Sequence, residues 1–171
     1  MTDKELRRIL KAWITKVLIT DGGATDLTII SSHNNAPVPN IPYITINYAG
    51  ERTKTGTSIK GIDTDEEGIQ KVVAEYEVRT EIRLTGGEPT WLSDLAESLD
   101  NVDIYNTYFY SNNLSKMQEE PAQPIPRLSQ SDDWIREMVW PLNLFLRSVK
   151  TQNTGWIDNV ELGWSDRPVE E

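Results

Sequence analysis

The sequence predicts an α+β fold: a mainly antiparallel β-sheet with two amphipathic helices packed on one face and a protruding β-arm. Three observations carry that reading. Leu6, Ile9, Leu10, Trp13, Val17 and Leu18 recur at helical spacing. The stretch EYEVRTEIRL, Glu75 to Leu84, places a charge at every second residue, with Tyr76, Val78, Thr80, Ile82 and Leu84 between. Side chains on a strand alternate between faces, so this strand has one face to pack and one that carries charges of both signs. The elements also run helix, strands, arm, strand, helix, strands, which suits an antiparallel sheet with segregated helices rather than repeating βαβ units.

Taken in order, Thr2 and Glu5 form a capping-box pattern that starts helix one, and Asp21-Gly22-Gly23 stops it. Residues 24–42 form an extended approach, held extended by Pro37, Pro39 and Pro42. YITINY, Tyr43 to Tyr48, has the β-branched and aromatic content of a strand that pairs antiparallel with Val73–Leu84. Between them lie about 25 residues rich in Gly, Thr and charge, long for a plain hairpin, and the arm is placed at about 50–72. Gly86-Gly87-Glu88-Pro89 turns into helix two, whose stripe is Leu92, Leu95, Ala96 and Leu99, and Asn101 ends it. Val102–Tyr110 reads as a strand, 111–131 as a polar, Pro-rich loop, and Trp134–Leu146 as a strand with Pro141 at an edge or bulge. Trp156–Trp164 is the last strand. No repeat divides the chain, so residues 1–171 are read as a single α+β domain, long enough to bury roughly 70% of the surface of the unfolded chain.

Composition narrows the function classes. There is no cysteine, which excludes disulfides and thiolate metal sites and suits a reducing cytoplasm. MTDKELRRILKAW mixes acids and bases into its apolar residues, unlike a signal peptide, and no apolar run approaches the ~20 residues of a membrane span. The net charge of −10 argues against wrapping around nucleic acid. Residues 1–19 nevertheless hold five bases (Lys4, Arg7, Arg8, Lys11, Lys16) against two acids, a solvated helix face or a docking face for an acidic partner.

Catalytic and metal chemistry finds little support. Asp63-Thr64-Asp65-Glu66-Glu67-Gly68 resembles the start of a calcium loop, but its twelfth position is Ala74 rather than the bidentate glutamate such a loop needs. His33 is the only histidine and lies in a Pro- and Asn-rich loop beside Ser31 and Ser32, where adjacency does not supply the geometry of a catalytic base. Gly86-Gly87 could cradle an anion at the start of helix two, yet Glu88 puts negative charge there. No Walker, Rossmann or zinc spacing occurs. The sequence therefore reads as a non-enzyme without cofactor or metal; the alternative from another class is a small hydrolase or ligand-binding domain using His33.

The remaining candidates are surfaces. Trp13, Trp140 and Tyr76 fall on packing faces and read as core, whereas Trp91 and Trp164 sit at element ends, where aromatics suit interfaces. Glu77, Arg79, Glu81 and Arg83 are candidate subunit contacts, since opposite charges across an interface fix orientation. Arg52, Lys54 and Lys60 are candidate arm contacts to an acidic neighbour or to DNA.

In this order of elements the chain resembles the neck or tail terminator family of long-tailed bacteriophages. The likeness rests on the first helix (Leu6–Leu18), PVPNIPYITINY, the long arm, EYEVRTEIRLTGGEPTWLSDLAESL, DDWIREMVWPLNLFLR and WIDNVEL, nearly the whole chain. The resemblance implies a tail-terminator-like subunit of the virion tail or neck, assembled in the host cytoplasm, usually six to a ring. Such a ring caps the tail tube, ends its polymerisation and meets the sheath and the head-side neck or connector protein, with DNA only passing through its lumen. It also implies no enzymatic activity and no cofactor. Other head–tail joining or tail-completion subunits are the neighbouring alternative.

Overall fold

The structure, a computed structural model, describes residues 1–31, 37–62, 69–116, 123–128 and 134–153. The chain divides into two compact units, residues 1–57 with 74–148 and residues 58–73 with 149–171. In the second unit the described residues, 58–62, 69–73 and 149–153, are strand backbone. Among the described residues, all the buried core lies in the first.

The fold is α+β, with helices on one face of a mixed, mostly antiparallel sheet. The chain runs α1 (Asp3–Ile14), β1 (Thr28–Ser31), β2 (Tyr43–Ile62), β3 (Ile69–Thr85), α2 (Thr90–Ser98), α3 (Val102–Tyr108), β4 (Leu114–Lys116), β5 (Gln123–Leu128) and β6 (Trp134–Asn153). The strand order is β1-β2-β3-β6-β4, and β5 also pairs with β6. β1 runs parallel to β2, from Thr28↔Tyr43 to Ser31↔Ile46, while β4 and β5 are antiparallel to β6.

α1 begins as the sequence predicts. Thr2 Oγ1 accepts from Glu5 N at 3.2 Å and Thr2 N donates to the Glu5 carboxylate at 2.6 Å, so two otherwise orphaned donors are satisfied reciprocally. Leu6, Ile9, Leu10, Trp13 and Ile14 are buried on one side. The helix does not continue as regular α to Leu18: from Thr15 to Asp21 it widens into a π-helix, closed by Gly22 N donating to Val17 O at 3.0 Å.

Even-numbered side chains of the long strands meet this helical layer. Ile44, Ile46 and Tyr48 of β2, Val78, Ile82 and Leu84 of β3, and Trp140, Leu142, Leu144 and Leu146 of β6 are buried with Leu92, Leu95, Leu99 and Phe109 in one cluster. Trp13 sits at its centre, edge-on to Phe109 at 5.1 Å and 6.2 Å from Trp140. Its indole Nε1 donates to Ser98 Oγ at 2.9 Å, which lets a polar tip be buried without loss. Thr80, a polar residue among the buried inward positions Val78–Leu84 of β3, donates its hydroxyl to the Leu142 carbonyl.

Three expectations need correction. Val102–Tyr110 is not a strand: α3 covers Val102–Tyr108, started by Asn101, whose Oδ1 accepts from Asp103 N and Ile104 N at 3.0 and 3.2 Å. Ile104, Tyr105, Tyr108 and Phe109 then form a helical stripe against the core, so tertiary burial overrides the strand-like composition. The arm expected at about 50–72 is strand on both its described sides, since β2 continues to Ile62 and β3 begins at Ile69. Thr53, Thr55 and Thr57 supply β-branched residues at every second position there. Residues 111–131 contain β4 and β5; Pro124 and Pro126, at alternate positions, remove donors without disturbing a strand paired to β6 alone. Finally, Pro141 is not on an edge strand, since β6 lies between β3 and β4; it falls between the residues of β6 that pair β5 (134–139) and those that pair β4 (144–146). The expected strand Trp156–Trp164 lies outside the described residues.

Candidate interaction surfaces

The sheet face turned away from the helices carries Glu75, Glu77, Arg79, Glu81 and Arg83, as the alternation of β3 demands. Four of these charges, Glu77, Arg79, Glu81 and Arg83, are paired within the subunit. Arg79 Nε donates to Glu77 Oε1 at 3.1 Å, and Arg83 Nη2 donates to Glu81 Oε1 at 2.9 Å. Arg83 also places Nη1 2.9 Å from Oε1 of Glu137 on β6, a carboxylate only 3% exposed. Partial burial pulls the Arg83 pKa down, but the hydrogen bond it donates to Glu81 and the charge of Glu137 outweigh it and hold the guanidinium above its ordinary value. Arg83 thus ties β3 to β6 across the open face. Beside it, Asn47, Glu77, Arg79, Glu81, Pro141 and Asn143 line a shallow, open depression.

Glu137, Asn47, Pro141 and Asn143 were not singled out by sequence reasoning. A signal existed for Glu137, an acid in the odd register of a strand whose even positions from Met138 to Leu146 are apolar. Its significance depends on which strand lies alongside, and strand order is not written in local patterning.

The other candidates are scattered. Trp91 is partly buried and packs against the core cluster. Arg52 turns back on the N-terminus: Nη2 reaches Asp3 Oδ1 at 2.7 Å, Nη1 donates to Met1 O at 2.9 Å and Nε to the Tyr48 hydroxyl at 3.2 Å. Burial lowers its pKa, yet Tyr48 and Asp3 together raise it above the usual arginine value. Lys54 is exposed. The side chain of Lys60, together with Trp164, His33 and the Asp63–Gly68 segment, lies outside what the structure describes. Among the described residues no group of three or more acidic or histidine side chains could hold a metal ion, and no helix is long and apolar enough to cross a membrane.

The deciding observation is the extent of a family match: the family model for the phage neck terminator protein covers residues 4–165, from the first turn of α1 to beyond β6. The chain belongs to that family. Membership makes this neck terminator a structural component of the bacteriophage neck, where tail and head-side proteins meet. The match takes in the helical layer, every described strand of the sheet and the open face, so the geometry above belongs to the family portion of the chain. No curated protein matches the chain.

Proposed function

We propose that the chain caps the finished tail tube as a ring of six subunits, ends tail polymerisation and joins the tail to the head-side neck. The observation that carries this reading is the family match over residues 4–165. The architecture supports it: a rigid helical layer backs one side of the sheet, and the opposite face is left polar and open, a form suited to making contacts rather than to enclosing a substrate. In this reading the subunit has no catalytic activity and requires no cofactor. It meets the tail tube, the sheath and the neck or connector protein, it is assembled in the host cytoplasm, and DNA passes through the lumen without being held.

Deleting the gene and imaging the lysate tests the proposal. The expected lysate contains tubes of uncontrolled length and heads without tails, both corrected when the gene is supplied from a plasmid. Tubes of normal, uniform length still joined to heads would overturn it.

A further inference from the structure

The helical layer carries two unlike charged patches. On α1, Lys4, Arg8 and Lys11 are exposed along one stripe at i, i+4 and i+7, opposite the buried Leu6, Ile9, Leu10 and Trp13. The nearby acids are already engaged: Asp3 pairs with Arg52 at 2.7 Å, Asp21 with Lys16 at 2.7 Å, and the Glu5 carboxylate is folded back onto Thr2 N at 2.6 Å. None of the three stripe residues has an ion-pair partner among the described residues. By contrast, residues 86–115 contain five acids and no lysine or arginine. Of these, Asp100 takes Lys116 at 2.7 Å, while Asp94 and Glu97 on α2 and Asp103 on α3 are exposed and likewise unpaired among the described residues.

Like charges one turn apart on a helix repel, so each patch is held at a small cost that an opposite charge would relieve. The subunit does not bring its own two patches into ion pairs. A head-to-tail contact that repeats around a closed ring needs two different, complementary patches on every subunit, whereas a two-fold contact uses one self-complementary patch. We propose that the Lys4–Arg8–Lys11 stripe of one subunit docks on the acidic α2–α3 segment of a second copy of the chain, through its exposed Asp94, Glu97 and Asp103. This rests on the ring reading given above. Single exposed pairs are weak; a set of three fixes orientation, speeds encounter and rejects like-charged surfaces.

The test is complementation of the deletion phage by charge-exchanged alleles. K4E/R8E/K11E alone and D94K/E97K/D103K alone should each lose plaque formation, while both purified proteins still unfold cooperatively. The allele carrying all six changes should regain it, and so should co-expression of the two reversed proteins, whose alternating contacts are again complementary. Plaque formation by either reversed allele at the wild-type level, or failure of the six-change allele to restore it, overturns the proposal. Should a reversed protein not fold, the milder K4Q/R8Q/K11Q and D94N/E97Q/D103N are read in the same assay, and full complementation by both is the overturning result. A deletion phage that builds normal particles would instead remove the ring reading itself, so the two failures are distinguishable.

Discussion

Gly87 serves two purposes with one missing side chain. At φ +74° it adopts a conformation that L-residues avoid, and a Cβ there would lie 2.4 Å from Cζ3 of Trp91. Gly23, at φ +72°, would bring its Cβ within 4 Å of nothing. Gly23→Ala should therefore lose only the backbone cost, about 1–2 kcal/mol, whereas Gly87→Ala should lose that and displace the indole as well. Urea unfolding measures both, and only the second should alter Trp emission. Glu5 offers a pH test. Its carboxyl is held below its ordinary value of 4.5, first by the Thr2 backbone hydrogen bond and then by the Thr2 side chain. A depressed carboxyl stabilises the fold above its unfolded pKa, and that contribution disappears as pH falls through the folded value. The melting temperatures of wild type and Glu5→Ala should thus differ at neutral pH and converge well below pH 4.5. The capping box was legible because its members stand three residues apart. The Trp13–Ser98 bond was not, because its partners are 85 residues apart and nothing local marks them.

For the elements, what could be read depended on how far the relevant interactions reach. The stripe of α1 and the alternation of β3 follow from period alone, and both appear as expected. α3 was misread because VDIYNTYFY is rich in residues that strands favour; the Asn101 cap just before it was a local signal that was passed over, while the burial of Phe109 against Trp13 comes from elsewhere in the fold. The extent of β2 and β3 beyond Tyr48 was likewise hidden behind Gly and charge that suggest loops. The link between β3 and β6 can be tested by a double-mutant cycle. Arg83→Met leaves Glu137 buried without that cation; removing one partner of a fully buried pair costs roughly 3–5 kcal/mol, and since Arg83 is 37% exposed the loss here should be smaller. Glu137→Leu added to Arg83→Met should recover much of that loss. Denaturant midpoints of the two single variants and the double variant decide the matter, and simple additivity would count against the coupling.

Over the whole molecule, fold class and family were legible before any atom was placed, because element order survives where individual contacts do not. The distribution of charge was half legible: the basic N-terminal stretch stands out in the sequence, but its opposition to an acidic helical face emerges only when α3 is a helix and its exposed side is known. A chain with net charge −10 that keeps separate basic and acidic patches on its helices is strongly anisotropic. In the tube-capping reading proposed above, incorporation into tubes lacking the protein should slow as sodium chloride is raised, since screening shortens the reach of these patches. Adding purified protein to a deletion lysate and counting length-limited tails at increasing salt measures this; a salt-independent rate would be the contrary result.

The pairing of Arg79 with Glu77, and of Arg83 with Glu81 and Glu137, has a consequence for distance. Opposite charges about 3 Å apart form small dipoles whose fields largely cancel, so a visitor more than a Debye length of ~10 Å away feels little from them. Two arginines stand against three carboxylates in these contacts, so the face keeps a net negative charge: it is strongly polar at contact, it can be wetted or matched by a surface already in place, and its residual field does not favour gathering anionic polymers from solution.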